Sequence, residues 1–301
     1  MTIARFLTGA AVALLLPAAA HAQVTRQSVD TSFAFDRGGS VRLSLVSGEI
    51  RVTTGTANEV RIHATIERGR LETSLSRSYV SIEAKSINNR LGEGRYEVVV
   101  PAGTRVEVDA VSGDVSVRGT GAQVSAHSVS GNVDVEDANG SNDIASVSGD
   151  VTLRKVGGRV DVNTVSGEID ADEPFGEFEV ETVSGTMTLR RGKLTGFRSS
   201  SVSGDVSYDG TFDPKGDYRF NTHSGDVRLV IPQGGGAALE LETWSGNIQS
   251  DFPLTLQPGD IRSGRNRRMS FNIGTGGARI SAETFSGNIS IRRTSARPNE
   301  E

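Results

Sequence analysis

The sequence predicts an all-β fold, a single-stranded parallel β-solenoid, from a repeat, an alternation and a pair of charge columns. Residues 111–189 carry one phrase in five versions, VSGDVSV, VSGNVDV, VSGDVTL, VSGEIDA and VSGTMTL. Their glycines, Gly113, Gly131, Gly149, Gly167 and Gly185, stand 18 residues apart each time. A fixed period in this range marks a coil that buries its apolar face only by stacking on the next copy. Within each copy, an aliphatic residue two after the glycine (Val115, Val133, Val151, Ile169, Met187) is followed two further on by another in most copies (Val117, Val135, Leu153, Leu189). Polar Ser116, Asp134, Thr152, Asp170 and Thr188 lie between them. That period of two describes a strand with one buried face.

The charge columns give the stacking register. Five after each glycine stand Arg118, Glu136, Arg154, Asp172 and Arg190, and six after it Asp137, Lys155, Glu173 and Arg191. Both columns change sign at every coil, so parallel stacking at this period sets each charge between opposite ones. Exposed pairs contribute only ~0.2–1 kcal/mol each, so they select a register more than they hold a fold.

Taken in order, the chain begins with a segment that reads as a secretory signal. Residues 1–22 combine an early Arg5, an apolar run from Ala10 to Leu16, and a small-residue end at Ala20-His21-Ala22 where cleavage is expected. Residues 23–100 form an expected N-terminal antiparallel start that caps the solenoid, with strand-like runs at 32–35, 40–46, 49–53, 59–66, 79–84 and 95–100. Its single VSG, Val46 to Gly48, lies 65 residues before the next. Solenoid repeats are expected over residues 101–292. Their later glycines, Gly204, Gly225, Gly246 and Gly287, are spaced 19, 21, 21 and 41, with insertions at 209–216, 232–237 and 251–264. Residues 269–291 read as a C-terminal hairpin around Thr275–Gly277, and 293–301 as a polar, disordered tail.

Each Ser-Gly is expected to turn a corner through a glycine free to take positive φ. On that reading, Gly149→Val destabilises its coil if Gly149 has such a φ. The residue after the glycine (Asp114, Asn132, Asp150, Glu168, Asp205, Asp226) then faces outward. Threonines three before the glycine (Thr164, Thr182, Thr222, Thr243, Thr284) are expected at a bend where the hydroxyl bonds backbone. The valines two before the glycine are apolar on the wrong face of a straight strand, so a bend that turns them inward is expected, and Trp244 and Phe285 in the same column are expected in the core.

Composition limits the functions available. The chain has no cysteine, which removes disulfides and thiolate metal sites, and no second apolar stretch long enough to span a membrane. Net charge is −5, and the one dense basic group (Arg262, Arg265, Arg267, Arg268) does not suggest nucleic acid in such a chain. Aromatics are few, at 5%, consistent with a narrow core of Val, Ile and Leu.

The V-S-G-D-V units, the passage YRFNTHSGDVR at 218–228, WSGNIQSDFPL and the closing ETFSGNISI resemble a family of exported bacterial β-strand-repeat proteins described as adhesin-like. The resemblance covers roughly residues 40–292 and implies a surface β-solenoid. It brings no catalytic residues, and a lipid anchor or membrane helix of the kind used by some exported relatives is not expected here.

No catalytic constellation is evident. His63, His127 and His223 are the only histidines after residue 22, and neither G-x-S-x-G nor H-E-x-x-H occurs. His127 and His223 fall in different registers, which opposes a shared metal. The acidic column after glycine imitates a calcium-dependent polysaccharide lyase, but its asparagines and Thr186 dilute the charge, and corner chemistry suffices. No catalytic, cofactor-binding or metal site residue is assigned, and no cofactor is expected. The expected function is a noncatalytic cell-envelope binding or structural module, periplasmic or at the cell surface, that presents stacked strand faces to polysaccharide or protein. Alternatives are a carbohydrate-active β-helix enzyme (a polysaccharide lyase or hydrolase) and a periplasmic stress or assembly factor.

Overall fold

The computed structural model describes residues 26–87, 90–232, 234–253, 267–274 and 276–294. The signal-like segment, Thr275, Arg262, Arg265, most of the third insertion and the end of the tail lie outside the described residues. Every regular element among the described residues is a β-strand, and the strands join into one continuous sheet.

A regular coil consists of two strands and two corners. Gly157–Ser166 stacks in parallel between Asn139–Ser148 and Phe175–Ser184, and Ile169–Asp172 stacks between Val151–Arg154 and the start of Met187–Ser203. All partners are offset by 18 residues, so the predicted register holds: Arg118 pairs with Glu136, Glu136 with Arg154, Arg154 with Asp172, and Asp172 with Arg190. The ion pairs also run diagonally. Arg118 and Arg154 both reach Asp134, at 2.7 and 3.4 Å, and Arg190 reaches Asp170 at 3.0 Å. Valines and leucines of the short strands are fully buried, and Ala171 completes the column that the sequence left incomplete.

The two corners use different chemistry. At the first, the expected positive φ occurs at Gly48, Gly167, Gly185 and Gly225, but Gly149 does not adopt it. The glycines are required because coils approach at this corner backbone to backbone. A Cβ on Gly149 would lie 2.2 Å from the carbonyl oxygen of Gly131, and one on Gly131 equally close to that of Gly113. At the second corner, Asp137, Lys155, Glu173 and Arg191 take φ of 51–53°, the left-handed region that side chains other than glycine occupy only with strain. The N–H groups of Asp137, Lys155 and Glu173 each donate to the next coil, at 2.9–3.0 Å, which holds that conformation in place.

The N-terminal start is partly antiparallel. Gln27–Ala34 pairs with Glu59–Ile66, which pairs with Gly94–Pro101, and Arg70–Leu75 pairs with Tyr79–Lys85. Ser40–Gly55 is a coil of the solenoid itself: it lies parallel to Arg105–Arg118, with Gly48 against Gly113. Residues 56–104 are therefore inserted between two coils that are neighbours in space.

The expected C-terminal hairpin does not form. Arg267–Ile273 runs antiparallel to Ala237–Ser245 and closes that wall of the stack. Ala278–Ser286 instead lies parallel between Asp217–Ser224 and Ala237–Ser245. The last coil of the chain is thus the penultimate coil of the stack, and the glycines follow Gly225, Gly287, Gly246. Chain order alone therefore does not set stack order.

The core also changes along the stack. Where the period lengthens to 19 and 21, Phe197, Tyr208, Tyr218 and Phe220 are buried together, with centroids 5.1–6.4 Å apart. The Tyr208 hydroxyl donates to Thr211 O at 2.8 Å, and the Tyr218 hydroxyl donates to Leu194 O at 2.6 Å. The aliphatic core expected throughout is interrupted by this aromatic group and resumes beyond it with Leu229, Leu241, Ile280 and Ile291.

Candidate functional site

The column two before each glycine faces outward. Val46, Val111, Val129, Val147, Val165, Val183 and Val202 are 43–53% exposed, as are Phe285 and Trp244, and His223 is exposed with them. This corrects the inward bend and the core placement of Trp244 and Phe285. The preceding residue explains it: Ser128, Thr164, Thr182, Thr222, Thr243 and Thr284 are buried on the inner face of the same strands. Thr222, Thr243 and Thr284 donate to the carbonyls of Gly204, Gly287 and Gly225 at 3.3, 2.9 and 3.2 Å. The tight corner takes a small residue inside, its hydroxyl bonded to backbone at Thr222, Thr243 and Thr284 as expected but to the Thr182 hydroxyl at Thr164, and strand alternation then turns its neighbour to solvent.

The strand registers place the exposed residues on ten successive levels in one line: the seven valines in chain order, then His223, Phe285 and Trp244. At the aromatic end the His223 and Phe285 rings are stacked at 4.9 Å and 5°, and Phe285 and Trp244 at 6.0 Å and 10°. Their faces are turned toward one another along the stack. What they offer outward is ring edge, which suits apolar contact better than the flat stacking of a sugar ring. A shallow hollow of about 360 Å³ beside them is lined by Asn221, Glu242 and Glu283.

Acidic columns flank this ladder. After the glycine stand Glu49, Asp114, Asp150, Glu168, Asp205 and Asp226, with no Lys or Arg in the column. On the other side, two before the ladder residue, stand Asp109, Glu181, Glu283 and Glu242, again with no Lys or Arg. Arginines from neighbouring rows reach these columns toward the two ends of the line, where Arg51 and Arg95 pair with Glu49, Arg42 with Asp109 and Arg268 with Glu242, while Asp114, Asp150, Glu168, Asp205 and Asp226 lie between them.

The column after the glycine also has a structural task. Asp114 Oδ1 accepts the N–H of Asn132 at 2.9 Å, Asn132 Oδ1 that of Asp150 at 3.1 Å, and Asp150 Oδ1 that of Glu168 at 2.9 Å. The series resumes past Thr186: Asp205 accepts from Asp226, Asp226 from Asn288, and Asn288 from Asn247, at 2.7–3.0 Å. These side chains carry the hydrogen-bond ladder around the corner, which is the reason Asp and Asn recur there. No group of three or more His, Asp or Glu among the described residues is placed to hold a metal.

One arrangement escaped the sequence reading. His127 lies with Nδ1 3.3 Å from Asp109, and its Nε2 is 3.4 Å from Ser125 Oγ and 3.2 Å from Asp143. The order of groups is that of a nucleophilic triad, yet Nε2 is shared with a second carboxylate. The strands here lie in a parallel ladder on both sides, which occupies the N–H groups an oxyanion hole would need. Of the basic cluster, Arg268 is paired with Glu240 and Glu242, and Arg267 donates to Asn247.

The family model described as Toastrack DUF4097 matches residues 40–214 and 122–292. The chain belongs to this family. Toastrack is a β-solenoid-like repeat, in keeping with the coils described above. Among solved structures, a candidate adhesin from Bacteroides fragilis NCTC 9343 is 9% identical with a TM-score of 0.45, over 89% of this Toastrack chain and 98% of that one. A candidate lipid-binding protein from Parabacteroides distasonis ATCC 8503 is 13% identical with a TM-score of 0.36, over 91% and 98%. A candidate adhesin from Parabacteroides merdae ATCC 43184 is 9% identical with a TM-score of 0.29, over 88% and 96%. No curated protein matches the chain. No helix among the described residues is long and apolar enough to cross a membrane.

Proposed function

We propose that this protein is a noncatalytic binding module of the cell envelope, exported through its signal-like N-terminus and working by the outer face of its stacked coils. The observation that supports this reading is the ladder of exposed side chains from Val46 to Trp244, apolar at every level except His223. Isolated surface valines are ordinary, but a long, largely apolar line on a β-stack marks a surface built to be covered. A polymer or another protein at the envelope is the class of partner such a surface serves.

The test is retention of fractionated envelope material, both polysaccharide and protein, on the immobilised protein, with and without chelator, followed by sizing of any retained polymer. Retention of intact polymer or of a defined protein is the expected result. Shortened polymer would mean a carbohydrate-active enzyme, and retention of nothing would contradict the binding reading.

A further inference from the structure

Resting on that reading, we infer that the ladder is a docking surface for a basic amphipathic α-helix of a protein partner. Charge comes first. The apolar line runs between two columns with carboxylates; arginines pair with Glu49, Asp109 and Glu242 toward its ends, and Asp114, Asp150, Glu168, Asp205 and Asp226 keep its middle acidic. An anionic polysaccharide or anionic membrane would meet like charge on both flanks, and so would a second copy of this chain laid face to face. A partner with an apolar stripe and Lys or Arg on either side of it is complementary.

Backbone chemistry then chooses the form of that partner. The ladder stands in the middle of a continuous stack, where strands such as Gly157–Ser166 have parallel partners on both sides. No edge is open there for an added strand, so main-chain pairing cannot hold an extended segment. An extended chain pressed on the apolar line would leave its own N–H and C=O groups dry and unpaired. A helix satisfies its backbone internally and presents an apolar stripe. Ten levels at about 4.8 Å give a line of about 43 Å. That accommodates about 29 residues of helix at 1.5 Å each. The aromatic end, where stacked rings present their edges, is suited to large apolar side chains rather than to sugar faces.

The experiment measures binding of labelled synthetic peptides of about 28 residues to the purified protein by fluorescence anisotropy, at low and physiological salt. The peptides are a Leu/Lys amphipathic helix, the same helix with Glu for Lys, and a scrambled Leu/Lys sequence without an apolar stripe. The first should bind, more weakly as salt rises, and the other two at least tenfold more weakly than the first. The triple substitution Val129→Thr, Val147→Thr and Val165→Thr changes only half-exposed positions, and its melting temperature reports that the fold is kept. It should weaken the first peptide at least tenfold, and Asp150→Asn with Glu168→Gln should reduce the salt dependence. No binding of the first peptide, equal binding of the scrambled or acidic peptide, or an unchanged affinity in the triple variant would overturn the inference. If peptides fail while envelope material is still retained, the binding module stands without this partner. If both fail, both readings fall.

Discussion

The regular coils of residues 111–191 and the coils that follow them share one set of columns but solve two packing problems. In the regular coils, aliphatic side chains fill a narrow section, the period is invariant and stack order is chain order. In the later coils the chain lengthens, Gly192 and Gly196 sit at register shifts, aromatic rings from Phe197 to Phe220 enter the core before aliphatic side chains resume, and the last coil slips in before its predecessor. The corner survives both regimes unchanged. Its glycine, buried hydroxyl and outward residue specify the architecture, while the core between corners adapts to the length available.

The comparison can be broken at its core or at its corner. Phe220→Ala should cost about 3–5 kcal/mol, because a large ring fully enclosed by other rings leaves a cavity the later coils cannot close. Denaturant unfolding measures this. Gly149→Ala should cost about 3 kcal/mol, since the new Cβ meets the backbone of the neighbouring coil, which cannot rotate away. Gly121→Ala, at φ 59° with open space around it, should cost only about 1 kcal/mol. Equal losses at the two glycines would mean that close approach does not set the corner.

Burial pushes the Tyr208 phenol well above its ordinary value of 10.0, and Tyr96 likewise. A phenol raised in the folded state stabilises the fold below pH 10 and loses that contribution as pH rises through and beyond it. Alkaline unfolding should therefore begin above about pH 10, and Tyr208→Phe should reduce that pH dependence while leaving neutral-pH stability within about 1 kcal/mol, the usual net worth of a single hydrogen bond. The smallest expected change is at the second corner. Lys155→Gly relieves a left-handed side chain and should stabilise the protein by up to about 1 kcal/mol.

Much of this was legible beforehand, and what was missed has a common cause. The 18-residue period, the charge register and the threonine hydroxyls follow from local pattern, because each coil repeats the same local problem. The outward Asp and Asn column was also legible, but its role was not: Asp150 Oδ1 accepts an N–H from the next coil, a contact that exists only after stacking. The valine column was misplaced because parity allows two solutions, and apolar character favoured the inward one. The structure chose the other because Thr164 and its equivalents already occupy the inside of the corner. For the same reason His223, Phe285 and Trp244 form an external stack, and the exchange of the last two coils leaves no trace in a pattern that every coil shares.

The outward ladder is the claim on which both functional readings depend, and the lack of cysteine makes it directly measurable. Single variants Val147→Cys and Val151→Cys can be compared for their rate of reaction with a maleimide under native conditions. Val147 is 45% exposed and Val151 fully buried. The expected result is rapid labelling at position 147 and strong protection at 151, relieved only on unfolding. Protection at 147 equal to that at 151 would turn the valine column inward and remove the proposed binding surface.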